Sequence, residues 1–143
     1  MNKGLLVDIG GTNMRYAIAS NDQEDISKIN KTEFDTLDFE SFLRKLVVDN
    51  EIDTLIISIA GPKIKNSIRM TNRDYSINSH QLKKNLNLKE CIILNDWEAI
   101  VHSYEYISKE IETLKDGSVF NNTKLFLGPG TGLGAAVSID EIV

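Results

Sequence analysis

Residues 6–15 read Leu-Val-Asp-Ile-Gly-Gly-Thr-Asn-Met-Arg and predict a buried β-strand that turns back into a second strand. Gly10 and Gly11 can adopt positive φ and bring backbone N–H groups close to an anion. Thr12 and Asn13 add polar side chains at the tip of the turn. The segment therefore predicts a phosphate site at these four residues, and the alternative is an ordinary hairpin with a Gly-Gly turn.

Two charged residues flank this turn. Asp8 stands at the end of the apolar strand, where its carboxylate can hold a cation, or the water shell of a cation, beside the phosphate. The alternative is that Asp8 is a turn residue without a ligand. Arg15 either adds positive charge near the phosphate or is a solvated residue on an edge strand.

A second segment, residues 125–137, has the same design: an apolar strand, a Gly-Thr turn and another apolar strand. Aligning Gly11-Thr12 with Gly130-Thr131 superposes both pairs of flanking strands. A weak repeat with such widely separated copies fits two related lobes that each offer a Gly-Thr hairpin to one ligand. We therefore expect Gly130, Thr131 and Gly132 to bind phosphate as well.

Composition excludes several classes of function. The net charge is −5, with 21 acidic and 16 basic residues, which argues against a general nucleic-acid surface. No apolar run is long enough to span a membrane, and the first strand begins too early to leave room for a signal peptide. The single cysteine, Cys91, excludes an intramolecular disulfide and fits a reducing compartment. We expect a cytoplasmic protein in which Cys91 is a small core residue.

The hydrophobic pattern predicts an α/β fold. Three strands come first, and strands and helices then alternate, which implies a mixed five-stranded sheet with flanking helices. We expect one lobe over residues 1–110, and a connection plus the first hairpin of an incomplete second lobe over 111–143. The predicted elements are strands at 4–9, 14–20 and 28–34, a helix from the N-cap Asp38 to about 49, a strand at 54–59, an extended piece at 64–70, a helix from the cap Ser79 to 86, a strand at 91–94, a helix from Asp96 to about 109–114, and two strands around the second glycine turn.

Five segments in order resemble motifs of the bacterial glucokinase family, in the sugar-kinase branch of the actin-like ATPase (ribonuclease H-like) fold. Tyr75 replaces the tryptophan of the family's Met-Thr-Asn-x-x-Trp motif, and Trp97 replaces the phenylalanine of its Asn-Asp-Phe-x-Ala motif. The segments are residues 8–13 and 128–134, which match the two phosphate motifs, residues 58–62 and 70–75, which match segments beside the sugar, and residues 94–99, which match the segment of the catalytic aspartate.

The resemblance implies ATP-dependent phosphorylation of glucose at its 6-hydroxyl, the first step of glycolysis, with Mg²⁺ bound to the ATP. Asp96 would be the catalytic base, since it follows a buried strand at its carboxyl end, where open α/β sheets place their sites. Asn95 would bridge two sugar hydroxyls, Asn72 would reach the sugar, and Asp8 would face the metal through water. The alternatives are that Asn95-Asp96 only caps the following helix and that Asn72 only fixes a turn.

The glucokinase family continues beyond the second glycine turn, with a glutamate–histidine–glutamate set at the sugar and a glycine-rich adenosine site. These are missing from the 143 residues, so we expect this chain to be inactive alone. Its last strand would be an uncovered edge, which predicts a homodimer or other self-association. The alternative function is a non-catalytic sugar-sensing or regulatory module of the same fold. An actin-like assembly protein has less support, because Asn95-Asp96 has no evident use in a filament.

Overall fold

The computed structural model describes residues 3–20, 23–129, 133–140 and 142–143. They form two compact units, residues 1–96 and 97–143. The predicted division at residue 110 stays a prediction. The elements are β1 (Lys3–Ile9), β2 (Asn13–Ser20), β3 (Gln23–Ile26), β4 (Asn30–Glu33), α1 (Phe39–Asn50), β5 (Thr54–Ile59), β6 (Lys63–Ile64), β7 (Ser67–Arg69), β8 (Ser76–Asn78), α2 (Ser79–Asn85), β9 (Glu90–Asn95), α3 (Asp96–Ile107), a 3-10 turn (Ser108–Glu110), β10 (Thr123–Pro129) and β11 (Leu133–Ile139).

A mixed sheet organises the first unit. Its strands lie in the order β3-β2-β1-β5-β9, and β4 pairs with β2 beside β3. The hairpin β1–β2 is antiparallel, whereas β5 and β9 run parallel to β1. The predicted α/β fold with a five-stranded mixed sheet is confirmed.

The strand predicted at 28–34 is shorter than expected and corresponds to β4. Strands β3 and β4 both pair with the same side of β2, one after the other. Strand β3 pairs with the end of β2 through a register shift, and β4 pairs with its beginning. Between them, Ser27 N–H donates to the Ile18 carbonyl, and Ile18 N–H donates to Ser27 Oγ, each at 2.8 Å. The serine hydroxyl therefore replaces a backbone carbonyl where the strand is interrupted.

One face of the sheet carries the core. Alternate residues of β1 and β5 are at most 4% exposed, as period-two burial requires. Helix α1 contributes Phe39, Leu43 and Val47 to this core, and Phe42 and Leu46 pack partly buried against it. The sequence predicts that these five apolar side chains share one face of the helix, and the structure confirms that face. The buried strand residues are Leu5, Val7, Ile9, Leu55, Ile57 and Ile59.

Of the two predicted helix caps, Ser79 is wrong, and Asp38 is confirmed in position but not in its capping hydrogen bond. Asn78, not Ser79, caps α2: its Oδ1 accepts a hydrogen bond of 2.9 Å from Gln81 N–H, and Ser79 is the first helical residue. Asp38 stands at the N-cap of α1, but its carboxylate makes no capping hydrogen bond. Both positions combine polar residues with an apolar run, and only the backbone geometry decides which side chain reaches the helix end.

The segment predicted as a single extended piece at 64–70 forms a hairpin. Strands β6 and β7 are joined at Lys65, whose φ is 55°, and β8 completes a small three-stranded sheet. The loop between β7 and β8, residues 70–75, is closed by a hydrogen bond of 2.9 Å from Met70 N–H to the Tyr75 carbonyl. This small sheet presents the loop that resembles the family's sugar-side motif.

The second unit contains α3 after Asp96 and the antiparallel hairpin β10–β11. Tyr104 of α3 and Phe126 of β10 make an edge-to-face contact with ring centroids 5.3 Å apart. Lys124 Nζ lies 5.5 Å from the centre of the Tyr104 ring. In the described part of the chain, the helices are too short and too polar to cross a membrane.

Candidate active site

Three parallel strands of the first unit end side by side. Ile9, Ile59 and Asn95 are register partners at the carboxyl ends of β1, β5 and β9. Neighbouring strands lie about 4.8 Å apart, so the ends of β1 and β9 are separated by roughly 10 Å. The glycine turn after Ile9 and the Asn95-Asp96 pair therefore lie at the same edge of the sheet, as the sequence predicted for a site at strand ends.

The first glycine turn, residues 10–13, is compact and exposed. Gly10 N–H donates to the Asn13 carbonyl at 2.9 Å. Gly10 and Gly11 do not use the positive φ that glycine permits, because Gly61 is the only glycine with positive φ among the described residues. An added Cβ at Gly11 would meet Asn72 Nδ2 at 3.8 Å, an ordinary contact. The described protein atoms therefore do not demand a glycine at this position.

The carbonyl groups at the tip of the turn are bound by other parts of the first unit. Phe34 N–H donates to the Thr12 carbonyl at 3.0 Å, and Arg73 Nε donates to the Gly11 carbonyl at 3.0 Å. Sequence reasoning did not find Arg73, because a single arginine in a polar loop carries no distinguishing pattern. These two hydrogen bonds satisfy backbone acceptors that would repel an anion.

Asp8 and Arg15 are cross-strand partners, and their side chains form an ion pair of 3.3 Å. The Asp8 side chain is 49% exposed and the Arg15 side chain 61% exposed, so the pair is weak and screened by solvent. Arg15 is not on an edge strand, because β2 lies between β1 and β4 at this position. Its guanidinium instead meets the carboxylate predicted to face the metal.

Asn95 is held by a glycine that the fold requires. Its Nδ2 donates to the Gly61 carbonyl at 2.9 Å. Gly61 has a φ of 154°, and an added Cβ there would overlap the Arg69 carbonyl. Because no other residue fits this position without strain, the acceptor that orients the Asn95 amide is fixed in place.

The other two predicted sugar-side residues lie in different settings. Asp96 follows Asn95 directly, is partly buried and is the first residue of α3. Asn72 is exposed in the loop of residues 70–75, which is joined to the end of β5 by a hydrogen bond of 3.4 Å from Thr71 N–H to the Ala60 carbonyl. The structure therefore places Asn72 beside the glycine turn, because its Nδ2 would lie 3.8 Å from a Cβ added at Gly11.

The predicted second phosphate turn, Gly130, Thr131 and Gly132, lies outside the described residues. The two glycines on either side of it are register partners in the hairpin β10–β11. A Cβ added at Gly128 or at Gly134 would overlap the indole of Trp97. These two glycines therefore make room for a large side chain, a role that the motif alone did not indicate.

Cys91 lies partly buried on β9, and burial raises the pKa of its thiol to about 11. The thiol is therefore neutral at physiological pH and unsuited to nucleophilic chemistry, consistent with its prediction as a core residue. Among the described residues, no group of three or more His, Cys, Asp or Glu side chains could hold a metal ion by itself.

Solved structures with this architecture include sugar kinases. A glucokinase from an Antarctic psychrotroph matches with a TM-score of 0.74 at 24% identity, covering 97% of this chain and 47% of that chain. A glucokinase from Balamuthia mandrillaris in complex with glucose matches with a TM-score of 0.70 at 21% identity, covering 96% and 44%. At these identities the likeness establishes the fold, which is the one predicted.

The sequence comparison is more specific. The profile of the glucokinase family matches residues 5–142, so the chain belongs to the glucokinase family. A glucokinase from Mesorhizobium japonicum is 31% identical over 140 residues, which cover 92% of this chain and 40% of the relative. The chain thus spans about two fifths of the length of this curated relative.

The packing of the Trp97 indole against Gly128 and Gly134 can be tested by fluorescence, because Trp97 is the only tryptophan of the chain. We expect Gly134→Ala and Gly128→Ala each to displace the indole, red-shift its fluorescence and destabilise the second unit by about 1–3 kcal/mol, the usual cost of overpacking. Gly117→Ala is the matched control, because nothing lies within 4 Å of an added Cβ there. Unchanged emission and melting in both hairpin variants would contradict this packing.

Proposed function

We propose that this chain carries the catalytic base and part of the phosphate and sugar sites of a glucokinase, which transfers the γ-phosphoryl group of ATP to the 6-hydroxyl of glucose in the first step of glycolysis. The observation that carries this proposal is the register of Ile9, Ile59 and Asn95, which brings the glycine turn and Asp96 to one edge of the sheet. Phosphoryl transfer to an alcohol needs phosphate-binding groups and a base close together.

The first glycine turn suits the donor phosphates. The carbonyls of Gly11 and Thr12 accept hydrogen bonds from the protein, so the anion would meet N–H groups and the Thr12 hydroxyl. Glycine at position 11 is also not demanded by the surrounding protein atoms, which is the expected situation where a ligand approaches the backbone. For Gly130, Thr131 and Gly132, the proposal rests on the sequence motif alone.

The acceptor side of the site is assigned to Asn95, Asp96 and Asn72. Asp96 would accept the proton of the attacking hydroxyl, as a carboxylate at a strand end can do. Asn95, oriented by Gly61, would bind sugar hydroxyls, since an amide both donates and accepts hydrogen bonds. Asn72 would contact the sugar from the loop that touches the glycine turn.

A magnesium ion bound to ATP fits the residues at the turn. Protein sites for Mg²⁺ commonly supply one or two carboxylates, while phosphates and water complete the shell. Asp8 offers one carboxylate directly before the turn, and its exposed ion pair with Arg15 is weak enough to rearrange. The ion would supply charge neutralisation on the phosphates, with Asp8 acting through its water shell.

The base assignment predicts that Asp96→Asn lowers kcat for glucose by about 10²–10⁴-fold with nearly unchanged glucose affinity, because the isosteric amide cannot accept a proton. The assay is coupled-enzyme turnover of glucose by the complete gene product, with the exposed Asp49→Asn as control. A variant that keeps more than about half of wild-type turnover would refute the role of Asp96. Glucose binding without turnover in the wild type would favour the sugar-sensing alternative.

The phosphate assignment predicts that Thr12→Val and Thr131→Val weaken nucleotide binding and spare sugar binding. Valine keeps the shape of threonine and removes one hydroxyl hydrogen bond, so the KM for ATP should rise about fivefold, or kcat fall by the same factor. Glucose affinity, measured calorimetrically without nucleotide, should change by less than twofold. Equal losses of glucose affinity in both variants would count against the two-turn phosphate site.

We also propose a cytoplasmic protein that self-associates through the hairpin β10–β11. Its exposed apolar side chains are Leu125, Leu127, Leu133, Val137 and Ile139, between 45% and 72% exposed. A two-stranded sheet offers unpaired edges to another copy. Sedimentation of the 143-residue chain should show concentration-dependent association, which Val137→Lys should reduce. A strictly monomeric chain at high concentration would rule this out.

A further inference from the structure

We propose that Arg73 is a positioning residue: it holds the phosphate-binding turn in place by tying the Gly11 carbonyl to the loop that carries Asn72. This inference rests on the proposed function for its catalytic consequence. The role goes beyond the predicted site, in which Arg73 had no part.

The Arg73 side chain makes three contacts within the first unit. Its Nε donates to the Gly11 carbonyl at 3.0 Å, and one terminal nitrogen donates to the Phe34 carbonyl at 3.1 Å. Its guanidinium carbon lies 5.4 Å from the centre of the Phe34 ring. The turn and the segment after β4 are therefore held by one planar group.

Phe34 also binds the turn, and it binds Arg73 as well. Its N–H donates to the Thr12 carbonyl at 3.0 Å, while its own carbonyl accepts from Arg73. Its ring is 1% exposed and packs edge-to-face against Phe39, with centroids 5.3 Å apart. The Thr12 carbonyl is thus bound directly by Phe34, and the Gly11 carbonyl is linked to Phe34 through Arg73. Phe34 itself is buried in the core.

The loop that carries Arg73 is itself fixed. Tyr75 N–H donates to the Arg73 carbonyl at 2.8 Å, and Thr71 N–H donates to the Ala60 carbonyl at the end of β5. Asn72, the preceding residue, lies beside the same turn, since its Nδ2 would be 3.8 Å from a Cβ added at Gly11. Arg73 therefore fixes the phosphate-binding turn relative to the loop assigned to the sugar. In this way it sets the position of the proposed phosphate site relative to the proposed sugar site.

Only the guanidinium geometry fits this task. A fork of N–H donors can reach two carbonyls at fixed angles while its face lies on an aromatic ring. A lysine ammonium keeps the charge but is a single compact donor that does not reproduce both bonds and the stacking. If geometry is what matters, Arg73→Lys will resemble Arg73→Met; if only positive charge near phosphate matters, lysine will restore function.

The test compares Arg73→Lys and Arg73→Met with Arg69→Met. Arg69 is a matched control, because its guanidinium pairs with Asp74 at 3.0 Å on the same loop and is 71% exposed. The measurements are amide NMR spectra and melting of the 143-residue chain, and MgATP affinity and steady-state kinetics of the complete gene product. The Thr12 amide reports on the Gly11 carbonyl, since both belong to one peptide unit.

We expect both Arg73 variants to shift the Thr12 amide resonance, to weaken MgATP binding and to raise the KM for ATP about tenfold, the low end of what the loss of one charge-assisted hydrogen bond implies. The KM for glucose and the melting temperature should stay close to wild type, and Arg69→Met should change none of these quantities.

Two results would overturn the positioning role: full rescue by lysine, or a parallel loss of melting temperature and of both KM values in Arg73→Met. A wild type that binds MgATP but phosphorylates no hexose would refute the proposed function alone. The variants' dissociation constants for MgATP would then decide the role of Arg73. A wild type that does not bind MgATP would refute both proposals.

Discussion

The in-register parallel pairing of β1, β5 and β9 is the constraint on which the candidate site depends. Parallel strands that start together also end together, so the chain delivers a glycine turn, a glycine with positive φ and an Asn-Asp pair to one edge of the sheet. The buried alternate residues of these strands make any slip costly, because a shift by one residue would expose every apolar side chain of the core face. The geometry of the site is therefore secured by the hydrophobic core beneath it.

Glycine serves different physical purposes along this chain. Gly61 is required by its backbone conformation and by the nearby Arg69 carbonyl, and it orients Asn95. Gly128 is required by the volume of the Trp97 indole. Gly11 has neither requirement in the protein itself, which supports the proposal that a ligand approaches the backbone there. A glycine-rich motif thus contains structural and functional members that only the surrounding atoms distinguish.

The sequence predicted the sheet, the core face of α1 and the strand-end position of Asn95 and Asp96, because strong hydrophobic periodicity and the order of elements leave few topologies. It did not predict the cap Asn78, the small sheet β6–β8 or the contacts of Arg73. Short strands and polar loops have little periodicity, and hydrogen bonds between residues 11 and 73 depend on tertiary geometry. The family motifs located the candidate site, while the contacts that hold the turn were visible only in the structure.

The packing of Trp97 links position 97 to positions 128 and 134, because the volume of the indole leaves no room for a larger residue at either glycine. The indole fills the space above the facing pair Gly128 and Gly134, directly after the proposed base Asp96. A relative with a smaller side chain at position 97 would have room for a Cβ on the hairpin, whereas a relative with tryptophan there would not. These three positions should therefore covary in size across the family, and a graft of either segment between relatives should succeed only when both are exchanged together.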